Sequence, residues 1–130
     1  MFSNEKIMNS LKSALAHIEN VLTALTKTNE NMFDNSLWHV GAELEYALLL
    51  FSMTSKSEKE GFQLKKHSEL KNIEAGQLLV RAQILLKEAE GFMTNRKLLD
   101  AYRSTYEARH YVLRLQEDLA KRKREVHKGK

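Results

Sequence analysis

SLWHVGAELEYALLLFSM, residues Ser36–Met53, decides the fold. At about 100° per residue, Leu37, Val40, Gly41, Leu44, Ala47, Leu48 and Phe51 share one helical face. Trp38, Ala42, Tyr46, Leu49 and Met53 gather on nearly the opposite side. Glu45 and Ser52 separate the two faces on one flank, His39 and Glu43 on the other. A helix that is apolar on two sides is buried among neighbours or contributes to an interface. This segment is therefore expected to serve two partners, one inside a bundle and one outside it.

The flanking chain supplies the other helices. Ile7, Leu11, Ala14, Ile18, Val21 and Leu25 advance in steps of four and three, with Leu15 and Leu22 widening the same stripe, which predicts a one-sided amphipathic helix. The polar string KTNENMFDNS breaks that pattern and offers Asp34, Asn35 or Ser36 as the next N-cap. After the linker MTSKSEKE, Ser57 and Glu60 have capping-box spacing. A third helix is expected from about residue 58 to Glu90, longer than its neighbours and irregular near Gly61. Its main stripe is Ala75, Leu78, Ala82, Leu85 and Ala89, and a weaker one is Ile73, Val80 and Ile84.

Gly91 stands where a left-handed residue would end that helix, with Thr94 or Asn95 capping the next. The fourth helix is expected from about Arg96 to Arg124. Leu98, Tyr102, Val112, Leu119 and Ala120 mark its apolar face, and Thr105, Arg109 and Gln116 project into the middle of it. Buried polar atoms need partners, and Glu43 or Glu45 would suit Arg109. The expected architecture is all-α: an antiparallel four-helix bundle, up-down-up-down, formed by residues 1–120 as one domain, with a basic tail at 121–130.

Bulk composition narrows the function. Zero prolines and five glycines in 130 residues argue against a loop-rich or all-β chain. Zero cysteines remove disulfides, thiolate catalysis and cysteine-based zinc sites. MFSNEKIMNSLKSA has no basic region followed by a long apolar run, so no secretory signal is expected. The longest strictly apolar run, Ala47 to Phe51, is far short of the roughly 18–20 residues that cross a bilayer. A soluble, cytoplasmic protein without a membrane span is the expectation.

The net charge of +4 is unevenly placed. The last ten residues, KRKREVHKGK, carry +5, which leaves the first 120 at −1. Lys121, Arg122, Lys123 and Arg124 are candidates for a weak nucleic-acid contact. No aromatic residue is interleaved with them, so base stacking gains no support from the tail.

Three constellations bear on chemistry. His39 and Glu43, four apart on one strip, could bind a metal or exchange a proton, or simply stabilise the helix. Glu107 and His110 have the E-x-x-H spacing of di-iron bundles, but a second such motif and the further inward glutamates are lacking. Arg103 and His110 lie within about 20° on the wheel.

The string YRSTYEARHYV, Tyr102–Val112, resembles the R-x(4–6)-H signature of the HEPN superfamily of small helical bundles. Ser104 follows the arginine where the common form has asparagine. The resemblance implies a dimer in which Arg103 and His110 converge at a cleft and cut RNA without metal. No glycine-rich phosphate loop or G-x-S-x-G elbow is present. No cofactor, metal or small-molecule ligand is therefore expected.

The leading expectation is a self-associating protein-interaction module, a homodimer joined through Trp38, Ala42, Tyr46, Leu49 and Met53. Tryptophan and tyrosine concentrate binding energy at interfaces, and two-fold dimers are the commonest closed assemblies. A HEPN-like ribonuclease or toxin–antitoxin component using Arg103 and His110 is the alternative.

Overall fold

The computed structural model describes the backbone of residues 2–54 and 74–128, with side chains for 4–53 and 74–121. Four helices carry the described chain: α1 (Phe2–Thr26), α2 (Glu30–Thr54), α3 (Ala75–Thr94) and α4 (Leu98–Lys128). The four pack as an all-α bundle.

Most residues of the main stripes become the core, but Leu25 and Ala120 are exposed, with Ala24 buried in place of Leu25, and Val80 and Ile84 of the weaker stripe face outward. Ile7, Leu11, Ile18 and Val21 of α1 meet Leu37, Val40, Leu44 and Phe51 of α2, with Leu78, Leu79 and Leu86 of α3 and Val112 of α4. All are buried to within 2% of full coverage. Each such side chain contributes about 1.5–3 kcal/mol relative to remaining in water.

Contacts fix the order of the helices around the bundle. α1 packs on α2 and α3, and α4 packs on α3 and α2, which puts α2 and α3 on a diagonal. Ser13 meets Glu43 across a short turn, and Leu37, Glu45 and Phe51 of α2 meet Gln116, Arg109 and Tyr102 of α4 in reverse order, so α1 and α4 both run opposite to α2. Gly76, at the start of α3, sits beside Leu25, near the end of α1. Every helix is thus antiparallel to both of its neighbours. The succession of directions is corrected, however: it is up, down, down, up rather than up-down-up-down. α2 ends and α3 begins at opposite ends of the bundle.

Both hairpins close with the same backbone device. Asn29 N–H donates to Ala24 O at 2.9 Å and Thr28 N–H to Leu25 O at 3.3 Å. In the second hairpin Lys97 N–H donates to Phe92 O at 2.8 Å and Arg96 N–H to Met93 O at 3.1 Å. These paired bonds are the Schellman closure, with the left-handed position held by Thr28 (φ 54°) and Arg96 (φ 59°).

Several boundaries therefore differ from expectation. α2 starts at Glu30, capped by Asn29, whose Oδ1 accepts from Met32 N–H at 3.1 Å. Asp34, Asn35 and Ser36 lie inside α2, because buried Phe33 extends its apolar face by a turn. Gly91 is helical, and α3 runs on to Thr94 because buried Met93 adds one more core contact. Arg96 and Lys97 form the turn, so α4 begins at Leu98 and neither Thr94 nor Asn95 caps it.

α3 does not continue backwards past Ala75. Glu74 is extended (φ −69°, ψ 153°) and stands at the N-cap position. With 20 residues α3 is the shortest of the four, not the longest. The capping box at Ser57 and Glu60, the irregularity at Gly61 and the stripe residue Ile73 lie outside the described residues.

Candidate functional site

The outer side of α2 carries the feature that the bundle leaves unused. Trp38 is 70% exposed, Met53 65%, Leu49 55% and Tyr46 44%, with Ala42 exposed between them. On the same helix Leu44 and Ala47 are fully buried. The two apolar faces seen in the sequence thus have different fates within one chain. A second, smaller exposed pair, Val80 and Ile84, lies on α3, diagonally across the bundle.

Beside Trp38 the α2 face falls into a half-open groove against α4. The groove holds about 230 Å³, and Gly41, Ala42, Val112 and Leu113 form much of its lining. Gly41 leaves room here for the side-chain amide of Gln116. A Cβ at that position would lie 2.7 Å from Gln116 Nε2, which donates to Leu37 O at 3.4 Å. The amide of Gln116 thereby gains a backbone partner at the edge of the core.

Polar groups on the flanks of α2 are taken up by its neighbours. Arg109 Nε donates to Glu45 Oε1 across the α2–α4 seam, which settles the alternative left open between Glu43 and Glu45. The guanidinium also lies 5.9 Å from the centre of the Tyr106 ring, within cation–π range. On the other flank Ser13 Oγ donates to Glu43 Oε2 at 2.6 Å, and His39 stacks on His17 with ring centres 4.8 Å apart. His39 and Glu43 are each bound to α1. Sequence spacing along one helix had no means of showing these cross-helix partners.

α4 carries the remaining candidates. Phe51, Tyr102, Tyr106 and His110 form a run of edge-to-face rings with successive centres 5.7, 5.9 and 5.9 Å apart. Partial burial raises the Tyr102 phenol above its ordinary pKa; nearby Tyr106 adds to the shift and Arg109 opposes it. Arg103 is exposed and His110 partly so. They stand two turns apart along one side of α4, about 10 Å in axial rise. Thr105 is fully buried, its hydroxyl donating to Ala101 O at 2.8 Å.

Lys121 is exposed, and the α4 backbone continues helically through Arg122, Lys123 and Arg124. Among the described residues no three His, Asp or Glu side chains group as a metal site requires. None of the described helices is long and apolar enough to cross a membrane. Compared with known proteins, the chain matches no family model, no curated protein and no solved structure.

Proposed function

We propose that this chain is a protein-interaction module that associates first with itself, through the outer face of α2. One observation carries the reading: Trp38, Ala42, Tyr46, Leu49 and Met53 stay exposed side by side while the other apolar side chains of α2 are buried or half-buried. Scattered exposed leucines need no explanation, but a contiguous patch containing the only tryptophan does. Sedimentation of the wild-type chain at micromolar concentration tests it. A dimer is expected, and Leu49→Glu should give a folded monomer. A wild-type chain that sediments as a monomer removes the proposal.

A second reading is metal-independent RNA cleavage by Arg103 and His110. It is supported by the exposure of Arg103 and partial exposure of His110 on one side of α4, where the Tyr106 ring packs edge-to-face on His110. His110→Ala should then abolish cleavage without unfolding the bundle; equal cleavage by both proteins excludes it. The basic end of α4 adds a weak electrostatic contact with nucleic acid. Removing residues 121–130 should lower affinity and flatten its salt dependence, whereas unchanged affinity refutes it.

A further inference from the structure

We infer that the partner of the α2 face is the α2 of a second copy, laid antiparallel across a two-fold axis between Glu45 and Tyr46. This inference rests on the self-association proposed above and adds its register. The exposed positions are symmetric under reversal about that point. Position 38 exchanges with 53, 42 with 49, and 46 with 45. The exchange places small Ala42 opposite large Leu49, so the helices approach closely at two equivalent points. Trp38 falls opposite Met53, a pairing of aromatic ring and thioether that packs well. Tyr46 meets its own copy beside the axis.

Charge fits this arrangement. α2 holds Glu30, Asp34, Glu43 and Glu45 but no lysine or arginine, so bare α2 surfaces would repel one another. Glu43, however, is turned to Ser13 on α1, away from the patch. Glu45, next to the axis, brings Arg109 with it. Each copy therefore brings its Glu45 carboxylate to the contact already paired with a guanidinium, which removes the net repulsion beside the axis. Glu30 and Asp34 stand outside the stripe, toward the start of the helix.

The area is also sufficient in kind. At about 200 Å² per large side chain, the exposed fractions of Trp38, Tyr46, Leu49 and Met53 amount to roughly 450–500 Å² of mostly apolar surface. That is the larger part of the roughly 800 Å² per partner covered by a standard interface. Glu45, Arg109 and Leu113 border the patch and supply more.

Because the chain has no cysteine, introduced thiols report the register directly. Ala42→Cys and Leu49→Cys proteins are prepared separately, mixed under mild oxidation and resolved without reductant. The mixed 42–49 disulfide should exceed either homodisulfide several-fold. Two copies of position 42 would stand about 10 Å apart along the helix, too far to bridge. If the wild type sediments as a dimer but the cysteine variants give mainly 42–42 links, or no link through α2, this register is overturned and self-association is left standing. A wild-type chain that sediments as a monomer would remove both.

Discussion

Thr28 and Arg96 occupy the same backbone conformation, φ 54° and 59°, at equivalent places in the two hairpins. Neither is glycine, although left-handed backbone is costly for residues bearing a Cβ and most costly for a β-branched one. Each is held there by the two bonds of its helix closure. Thr28→Gly and Arg96→Gly should therefore each stabilise the fold by about 1 kcal/mol, with Thr28→Gly giving the larger gain. Urea unfolding checks this as a higher midpoint at unchanged slope.

Gly91 invites the opposite substitution. It lies in helical backbone, and a Cβ there would meet nothing within 4 Å. Gly91→Ala should raise stability by about 1 kcal/mol through helix propensity alone. A loss of stability in the same unfolding experiment would mean that residue 91 needs the left-handed freedom suggested by its sequence context.

The two faces of α2 should respond differently to truncation. Leu44→Ala opens a cavity in a fully covered core and should cost about 2–5 kcal/mol. Leu49→Ala removes an exposed side chain, and at concentrations dilute enough to hold the chain as a monomer it should stay within about 0.5 kcal/mol of wild type. Thermal unfolding of both variants beside the wild type makes the comparison.

Alkaline titration should report on Tyr102. Its pKa is raised on folding, chiefly by burial, so the folded state holds the phenolic proton more tightly than the unfolded chain. The associated stability is complete below the ordinary tyrosine pKa of 10 and is lost as pH rises through the higher folded value. Tyr102→Phe should flatten the decline in stability above pH 10. An unchanged slope would assign that decline to other groups.

The interior of the bundle was legible because helical spacing depends only on residue order. The stripe from Ile7 to Val21, the two-sided character of α2 and the inward aim of Thr105 all followed from the wheel. The outward position of Trp38 and Leu49 followed for the same reason. Helix ends were less legible. Glycine is the usual marker of a left-handed closure, and here the backbone bonds place threonine and arginine in that role while Gly91 remains helical. Chain direction was hidden too: a single helix carries no label saying which neighbour lies beside it. The stacking of His17 on His39 and the seating of Gln116 at Gly41 depend on which helices adjoin, so both became visible only in the assembled bundle.

The diagonal placement of α2 and α3 has a kinetic consequence. Contacts are denser within the α1–α2 and α3–α4 pairs than between them. Each pair can therefore close early, since its turn is short and little chain entropy is lost in bringing the two helices together. The slow event is then the meeting of two preformed halves along the α2–α4 and α1–α3 seams. Until that meeting, the buried stripe of each half stands open to water, and a half from another molecule presents the same greasy surface as the native one. Refolding at high protein concentration should favour assemblies with exchanged halves over bundles closed within one chain.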